Sequence, residues 1–154
     1  KYFDLSHHRR SDIVFRWEEA LSFDGNSGPY LQYTHARLKS ILRKAAELTR
    51  NSDAELMRNF SAGVTLDDVE HRLLVAALRL PEAIEDALAD FAPNLLANYL
   101  YNLAKLTNEF YHSHPVIQEQ DESKREVRLA LVTGTALTLA RGLNLLGIAA
   151  PEEM

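Results

Sequence analysis

Two tyrosines and two cations recur on one face of a predicted helix in the first third of the chain. They are Tyr30, Tyr33, Arg37 and Lys44, and on a helix of 3.6 residues per turn they fall within about 60° of one another. Aromatic rings form a platform on which an unstacked nucleobase can lie, worth roughly 1–3 kcal/mol per base. Neighbouring cations can contact phosphates or base edges. This pattern therefore indicates recognition of unstacked bases in a nucleic acid.

A second stripe on the same helix is aliphatic. Leu31, Leu38, Leu42 and Ala45 fall on a separate arc, also about 60° wide, which should face the core. The core therefore does not need the tyrosines. The alternative for the first stripe is structural, because tyrosines on bundle helices are often half-buried and basic faces are often simply hydrated. Spacing alone favours this structural alternative.

Charge is distributed unevenly along the chain. The net charge is −5, which alone argues against a nucleic-acid partner because phosphates require local positive potential. Residues 28–50 nevertheless hold five cations and one acid, for +4, while the remainder holds 12 cations and 21 acids, for −9. We predict a basic helix on an acidic body. The acidic segment 67–90 should face solvent and steer RNA toward that helix.

The composition predicts one globular domain. Its 154 residues are 46% hydrophobic and 25% charged, as in ordinary globular proteins. The absence of cysteine excludes disulfides and cysteine metal sites and fits a reducing cytosol. No apolar run approaches the roughly 20 residues that span a bilayer, so we expect a cytoplasmic location without membrane contact. Since the chain opens at Lys1 rather than methionine, we interpret it as a fragment of a longer protein.

Helical periodicity dominates, and no alternating pattern predicts a strand. The predicted fold class is all-α, a bundle of five to seven helices. Start and stop signals place the helices as follows: 11–22 with Ser11 as N-cap; 29–50 from Pro29, ended by Asn51-Ser52-Asp53; a short one from the Ser52 and Glu55 capping-box pattern, stopped by Gly63; 65–79 with Thr65 and Asp68 at its cap; 81–91; 93–112; and 123–146, closed by Gly147.

The last two predicted helices differ in polarity. The helix over 123–146 is apolar almost all round and belongs in the centre of the bundle. The helix over 93–112 is amphipathic. Its apolar side carries Leu96, Tyr99, Leu100, Leu103 and Phe110, and its polar side carries Asn94, Asn98, Tyr101, Lys105 and His112.

The segment from Ser22 to Arg37, SFDGNSGPYLQYTHAR, resembles the signature that joins the catalytic domain of arginyl-tRNA synthetases to their DALR-type anticodon-binding bundle. Other stretches resemble the same family in the same order: KYFDLS at 1–6 with Asp12 and Trp17, NYLYNLA at 98–104, FY at 110–111, RLAL at 128–131, GLNLLGI at 142–148 and PEEM at 151–154. The resemblance covers nearly the whole chain. The literal string Asp-Ala-Leu-Arg does not occur, and residues 51–90 carry little signature.

The resemblance implies roles for particular residues. Tyr30, Tyr33 and Arg37 match positions that contact the anticodon loop, Tyr111 matches an aromatic residue that helps to hold an anticodon base, and Met154 matches a terminal residue near the anticodon. Lys44 joins them as a tRNA-binding residue because it lies on the same stripe. The segment that matches a loop coupling anticodon engagement to the active site consists of Ser22, Phe23, Asp24, Gly25, Asn26 and Ser27.

The resemblance also implies a division of the chain and its partners. Residues 1–21 match the end of the catalytic module or a connector, and residues 22–154 match the helical anticodon-binding domain. The implied partners are the anticodon arm of tRNA(Arg) and the missing catalytic domain, without which residues 1 to about 20 are expected to pack poorly. The class I adenylation motifs do not occur here, so we expect no catalytic residue and no cofactor in this chain. ATP and Mg²⁺ belong to the intact enzyme, which ligates arginine to its tRNA.

The remaining signals have ordinary explanations. Candidate metal ligands are His7, His8, His112 and His114. Without cysteine or matching carboxylate spacing, we interpret them as exposed loop histidines and expect no metal site. The pairs at 18–19 and 152–153 are glutamates, which we expect to be solvated rather than an acid/base pair. The competing functional hypothesis is a helical protein-interaction module, which a large exposed apolar patch without basic neighbours would favour.

Overall fold

The computed structural model describes residues 1–49 and 64–154, which form seven α-helices and no strand. The helices are α1 (Tyr2–Leu5), α2 (Trp17–Ala20), α3 (Gly28–Thr49), α4 (Asp68–Leu78), α5 (Leu80–Ala89), α6 (Pro93–Ser113) and α7 (Glu122–Leu145). α3 and α6 both pack against α7, and α4 and α5 pack on α6. The all-α prediction is confirmed. The helix break at 51–53, the capping box at Ser52 and Glu55 and the stop at Gly63 lie outside the described residues.

α7 forms the centre of the bundle, as predicted. Its buried residues lie around most of its circumference, so it contacts α3, α4 and α6. The helix ends in a Schellman motif, in which Gly147 N donates to Asn144 O and Ile148 N donates to Leu143 O, both at 2.9 Å. Gly147 has a φ of +66°, which glycine adopts without strain. The prediction of Gly147 as the residue that closes this helix is confirmed.

Two glycines in α7 lie in opposite environments. A Cβ at Gly142 would overlap the fully buried side chain of Leu100 on α6, whereas a Cβ at Gly134 would meet no neighbouring atom within 4 Å. Alanine is the better helix former by about 1 kcal/mol. We therefore expect G134A to raise the free energy of unfolding by up to about 1 kcal/mol. G142A should lower it by roughly 1–3 kcal/mol, because core crowding outweighs the helical gain. Urea denaturation measures the sign of the change in the free energy of unfolding for each variant. An equal increase in G134A and G142A would contradict the close packing of α6 on α7.

The prediction of a helix over residues 11–22 is wrong. The structure has one helical turn in that range, α2, whose N-cap is Arg16, and Ser11 caps no helix. Residues 8–19 are all exposed. A helix without a packed face is only marginally stable in water, so the local sequence signals at Ser11 had no tertiary contact to support them.

The first residues of the chain are nevertheless anchored on the bundle by α1, which the sequence did not predict. Tyr2 and Phe3 are buried. The Tyr2 hydroxyl lies 2.6 Å from Asn26 Oδ1 and 3.1 Å from Ala97 O. The expectation of poor packing therefore holds for residues 8–19 and is wrong for α1.

α4 is capped by Asp67 rather than by Thr65. Asp67 Oδ1 accepts from Val69 N at 2.9 Å and Glu70 N at 3.0 Å, and Glu70 Oε2 accepts from Asp67 N at 3.1 Å. This is a capping box. The backbone N–H of Glu70 and the His114 side chain hold the pKa of Asp67 below its usual value. The structure thus uses the pair Asp67 and Glu70, whose Glu70 is buried, in place of the predicted pair Thr65 and Asp68.

A buried ion network connects α4 to α7. Arg128 Nε donates to Glu70 Oε1 at 2.8 Å, and Arg128 Nη1 donates to Glu119 Oε2 at 2.6 Å and to Pro115 O at 2.8 Å. The Arg128 and Glu70 side chains are only 10% and 7% exposed. The network therefore ties α4, α7 and the connection before α7 together through charges that are largely removed from water.

His114 lies beside this network and is buried, so its prediction as an exposed loop residue is wrong. Its ring stacks on Phe110 with centroids 5.1 Å apart, and its Nε2 lies 2.5 Å from Asp67 Oδ2. His112 is exposed as predicted. Potential ligand atoms of Asp67, Glu70 and His114 lie within 4.8 Å of one another. Because each side chain already serves the α4 cap or an ion pair, we assign this cluster to helix anchoring.

α6 has the predicted amphipathic character, with one exception. Leu100, Leu103 and Phe110 are fully buried, and Asn98, Lys105 and His112 on the polar side are exposed. Asn94 is buried although it was predicted on the polar side. It lies in the first turn of α6, two residues after the buried Ala92. The exposure of a side chain in the first turn of a helix depends on the path of the preceding residues as well as on its angular position around the helix. None of the described helices is long and apolar enough to cross a bilayer.

Candidate nucleic-acid interface

The two stripes predicted on α3 lie in different environments. The aliphatic stripe is buried, with Leu31, Leu38, Leu42 and Ala45 at most 2% exposed. On the other stripe Tyr33 is 45% exposed, Lys44 is exposed, and Tyr30 and Arg37 are half-buried. Tyr30 thus partly fits the structural alternative. Tyr33 does not, because nearly half of its surface contacts solvent.

α3 is positioned at its start by the loop that precedes it. Ser27 Oγ accepts from Tyr30 N at 3.2 Å, which caps the first turn. The helix begins at Gly28, one residue before the predicted Pro29, a difference within ordinary boundary variation. A Cβ at Gly28 would lie 3.2 Å from Tyr2 Cβ, so glycine permits the close approach of α1.

α6 brings a fifth predicted residue, Tyr111, to the exposed stripe of α3. The Arg37 Cζ atom lies 4.1 Å from the centroid of the Tyr111 ring and 6.0 Å from that of Tyr33. The guanidinium is therefore held against one tyrosine and close to another by cation–π contacts. Tyr33, Arg37 and Tyr111 converge from two helices; the two tyrosines are exposed and the arginine is half-buried against them.

Three residues of α6 that sequence reasoning did not assign to the site extend this surface. The Tyr101 ring lies 5.7 Å from the Tyr30 ring, and Lys105 Nζ lies 5.7 Å from the Tyr101 centroid. Asn108 Nδ2 donates to Tyr30 Oη at 2.8 Å. Burial raises the pKa of the Tyr30 hydroxyl. The available signal was the spacing of 101, 105 and 108, which places them on one helical face.

We call this region the α3–α6 surface. It consists of Tyr30, Tyr33, Arg37 and Lys44 from α3 and Tyr101, Lys105, Asn108 and Tyr111 from α6. At one end it opens into a cleft of about 380 Å³ between α3 and residues 114–118. Arg37, Ser40, Lys44, Tyr111 and Gln118 provide polar groups at this cleft, and Ile41 and Val116 provide apolar ones. Such a lining suits a planar ligand with polar edges.

Met154 reaches the same surface from the C-terminus. It lines a second, open cleft together with Phe23, Asp24 and Tyr33. The Phe23 and Tyr33 rings meet edge to face with centroids 6.2 Å apart. Tyr33 is therefore the residue at which the predicted coupling loop, the predicted base-binding stripe and the C-terminus meet.

The loop 22–27 also contacts α1 and α6. Within the loop, the Ser27 hydroxyl donates to Ser22 O. Asn26 Oδ1 accepts from the Tyr2 hydroxyl at 2.6 Å, and Asn26 Nδ2 donates to Asn98 Oδ1 at 3.1 Å. These contacts, together with that between Phe23 and Tyr33, join the N-terminal segment to the α3–α6 surface.

The family of the chain follows from residues 31–154, which match the model of the DALR anticodon binding domain. The chain belongs to the DALR anticodon-binding domain family. The arginine–tRNA ligase of Saccharophagus degradans is 43% identical over all of this chain, which covers 26% of that protein. That of Pyrococcus furiosus is 40% identical over all of this chain and 24% of that protein. The structure of Thermus thermophilus arginyl-tRNA synthetase is similar with a TM-score of 0.84 and 37% identity, over 99% of this chain and 25% of that one.

This DALR domain thus spans about a quarter of the length of the relatives it matches. The predicted similarity to the DALR-type bundle of arginyl-tRNA synthetases is confirmed. The matched range includes α4 to α7 and all of α3 after its first turn, while α1, α2 and the loop 22–27 lie before it.

The positive charge of α3 in this DALR domain is divided between two faces. Arg37 and Lys44 lie on the α3–α6 surface. Lys39 Nζ lies 3.4 Å from Glu152 Oε1, and Arg43 Nη2 lies 3.3 Å from Glu153 Oε1. The glutamates at 152–153 are exposed, as predicted, and each also pairs with a cation of α3. The C-terminal residues lie against α3, and this proximity was not encoded in any local pattern.

Proposed function

We propose that this DALR domain binds the anticodon arm of tRNA(Arg) and so positions the tRNA for arginine ligation by a cytoplasmic, ATP- and Mg²⁺-dependent enzyme. The observation that carries the proposal is the convergence of Tyr33, Arg37 and Tyr111 at the surface. Tyr33 and Tyr111 are 45% and 37% exposed although the core of the same helices is filled by other side chains. Exposed aromatic rings beside a guanidinium are suited to unstacked RNA bases, which stack on rings and on arginine planes.

Each residue of the α3–α6 surface has a chemical role in this proposal. Tyr33 and Tyr111 provide stacking faces, and Arg37 lies between them as a second planar surface and hydrogen-bond donor. Lys44 contacts a phosphate beside the cleft between α3 and residues 114–118. Tyr30 accepts from Asn108, so its own proton can be donated to an RNA acceptor.

The loop 22–27 is proposed to couple base binding to the preceding part of the chain. Phe23 contacts the Tyr33 ring, and Asn26 contacts Tyr2 of α1. A base that stacks on Tyr33 would compete with Phe23 for that ring. The resulting displacement of the loop would reach α1 through Asn26, which is a contiguous physical route of the kind that coupling requires.

An exposed apolar strip before residue 31 indicates a protein contact. The exposed side chains include Val14, Phe15, Trp17 and Leu21, and the Phe15 ring contacts both Phe3 and Trp17, with centroids 5.2 and 4.9 Å apart. Exposed apolar patches mark interaction sites, and this one lies outside the matched DALR range. We propose that the strip packs on the catalytic domain of the longer enzyme. The protein-interaction hypothesis then applies to this strip and the RNA hypothesis to the α3–α6 surface.

Equilibrium binding of labelled tRNA(Arg), measured by fluorescence anisotropy at several salt concentrations, tests the function. We expect the logarithm of the binding constant to fall with the logarithm of salt concentration with a slope of about −2, because each of roughly three cations at the surface contributes about −0.7 on single-stranded RNA. A tRNA with a different anticodon serves as the control and should bind more weakly. If tRNA(Arg) does not bind at low salt, or binds no better than the control, the proposal is refuted.

A further inference from the structure

α3 carries a third stripe, distinct from the aliphatic stripe and from the α3–α6 surface. It consists of Gln32, His35, Lys39 and Arg43, spaced i, i+3, i+7 and i+11, which places them along one side of the helix. All four contact residues 149–153 of the C-terminal tail. The helix thus has one face for the core, one for the proposed ligand and one for the end of its own chain.

Most of these contacts are hydrogen bonds to main-chain carbonyls. Gln32 Nε2 donates to Ala149 O at 2.8 Å, and Arg43 Nη1 donates to Glu152 O at 3.1 Å. His35 Nδ1 lies 2.8 Å from Pro151 O, and since a carbonyl only accepts, this nitrogen carries the proton. His35 is buried, so the contact is shielded from water. Contacts of this kind fix the path of the tail backbone.

Salt bridges from the same stripe add to these hydrogen bonds. Lys39 and Arg43 pair with Glu152 and Glu153, which reduces the positive potential on this side of α3. These contacts are closely spaced along the last residues, directly before Met154.

We propose that Gln32, His35, Lys39 and Arg43 are positioning residues, which hold the tail so that Met154 forms a wall of the base-binding cleft at Tyr33. Met154 lines that cleft with Phe23, Asp24 and Tyr33. The effect on RNA binding rests on the proposed function. The four residues do not touch RNA themselves and act only by placing Met154. The pairing of the glutamates also concentrates the positive potential of α3 at Arg37 and Lys44, on the opposite side from the tail.

The placement of the tail can be tested without RNA. The chain has two methionines, so methyl-labelled methionine gives two NMR signals, which M57L assigns. We expect a nuclear Overhauser effect between the Met154 methyl and the Tyr33 ring. It should disappear in H35F, which keeps an aromatic ring and removes the donor, and in the double variant Q32M/R43M, which alters exposed or half-exposed side chains and so leaves the fold intact. Persistence of the effect in both would overturn the proposal.

The positioning role is tested by a double-mutant cycle between His35 and Met154 in binding of the tRNA(Arg) anticodon-arm hairpin. We expect M154A and H35F each to weaken binding roughly tenfold, as for removal of a central contact. H35F/M154A should bind no more weakly than M154A, because His35 acts through Met154. His35→Gln, which keeps an N–H donor, should restore much of the affinity. K44M is the matched control. Its fold-loss of affinity should multiply with that of M154A in the double variant, because Lys44 acts independently of Met154.

The two proposals fail in different ways. If the wild-type chain does not bind the hairpin, the proposed function is refuted, and the RNA role of the tail with it. If the wild type binds and the losses from H35F and M154A multiply, His35 acts independently of Met154, and only the positioning role is refuted. Should H35F fail to fold, Q32M/R43M replaces it in the same cycle.

Discussion

Replacing Arg37 with methionine should weaken binding of the tRNA(Arg) anticodon-arm hairpin by roughly 5- to 150-fold, which corresponds to the 1–3 kcal/mol of one stacked base. The guanidinium lies 4.1 Å from the Tyr111 centroid and 6.0 Å from that of Tyr33. Its removal therefore takes away a charge and also the planar group between two rings. Methionine keeps the aliphatic stem, so the fold should be unaffected. Fluorescence anisotropy with the labelled hairpin measures the effect.

The matched control for this variant is R79M. Arg79 is exposed on the α4–α5 side and paired with Glu82 at 2.7 Å, so R79M removes the same charge away from the α3–α6 surface. We expect it to change hairpin affinity by less than about twofold, as for a screened distant charge. R37M should also reduce the magnitude of the salt slope by about 0.7, since one ionic contact is lost. Equal losses from R37M and R79M would show that only overall charge matters.

Replacing Arg128 with methionine should lower the free energy of unfolding by roughly 3–5 kcal/mol, the usual cost of breaking a buried ion pair from one side. The variant leaves the carboxylates of Glu70 and Glu119 without the guanidinium that contacts both. Because Glu70 also caps α4 through Asp67 N, its altered position should loosen the start of that helix. Urea denaturation followed by circular dichroism measures the loss.

R72M is the control for the buried pair. Arg72 pairs with Asp68 and Glu109, but its side chain is 43% exposed. Exposed pairs contribute only about 0–1 kcal/mol, so R72M should have a small effect. Replacing both members of the buried pair, as in R128M/E70L, should be less damaging than R128M alone, because the more deeply buried of the two carboxylates that lose their partner is then also removed. Equal destabilisation by R128M and R72M would contradict a special role for burial.

The parts of the site that lie on α3 could be predicted from sequence. Its leucines and its tyrosine–cation stripe recur with helical spacing, and helical spacing determines which side chains share a face. The resemblance to a known family then added Tyr111 and Met154, which no periodicity connects to α3. Whether these residues bind RNA stays a prediction.

The contributions of neighbouring elements could not be predicted in the same way. Tyr101 and Lys105 were correctly placed on the polar side of α6, but only tertiary packing shows that this side lies next to Tyr30. The contacts between α3 and residues 149–153 could not be predicted for another reason. Gln32 and His35 bind main-chain carbonyls, which every residue type presents, so the tail sequence carries no signature of its partner.

The errors arose where tertiary structure, and not the local pattern, decided the outcome. The signals for a helix at Ser11 were present, but residues 8–19 are all exposed and bury no side that would support a helix. His114 looked like a loop histidine, yet its stacking on Phe110 and its contact with Asp67 bury it. Glu70, one of the partners of Arg128, lies far away along the chain. No local pattern could have paired these two residues.

If the α3–α6 surface binds the anticodon arm, the two halves of tRNA(Arg) should differ in how well they compete with the whole tRNA for this chain. Labelled tRNA(Arg) is bound to the chain and then displaced with an unlabelled anticodon-arm hairpin or with an unlabelled acceptor-stem minihelix. We expect the hairpin to displace the tRNA at concentrations close to those of unlabelled tRNA itself, and the minihelix to do so only weakly. Displacement by the minihelix with no effect of the hairpin would show that this surface does not bind the anticodon arm.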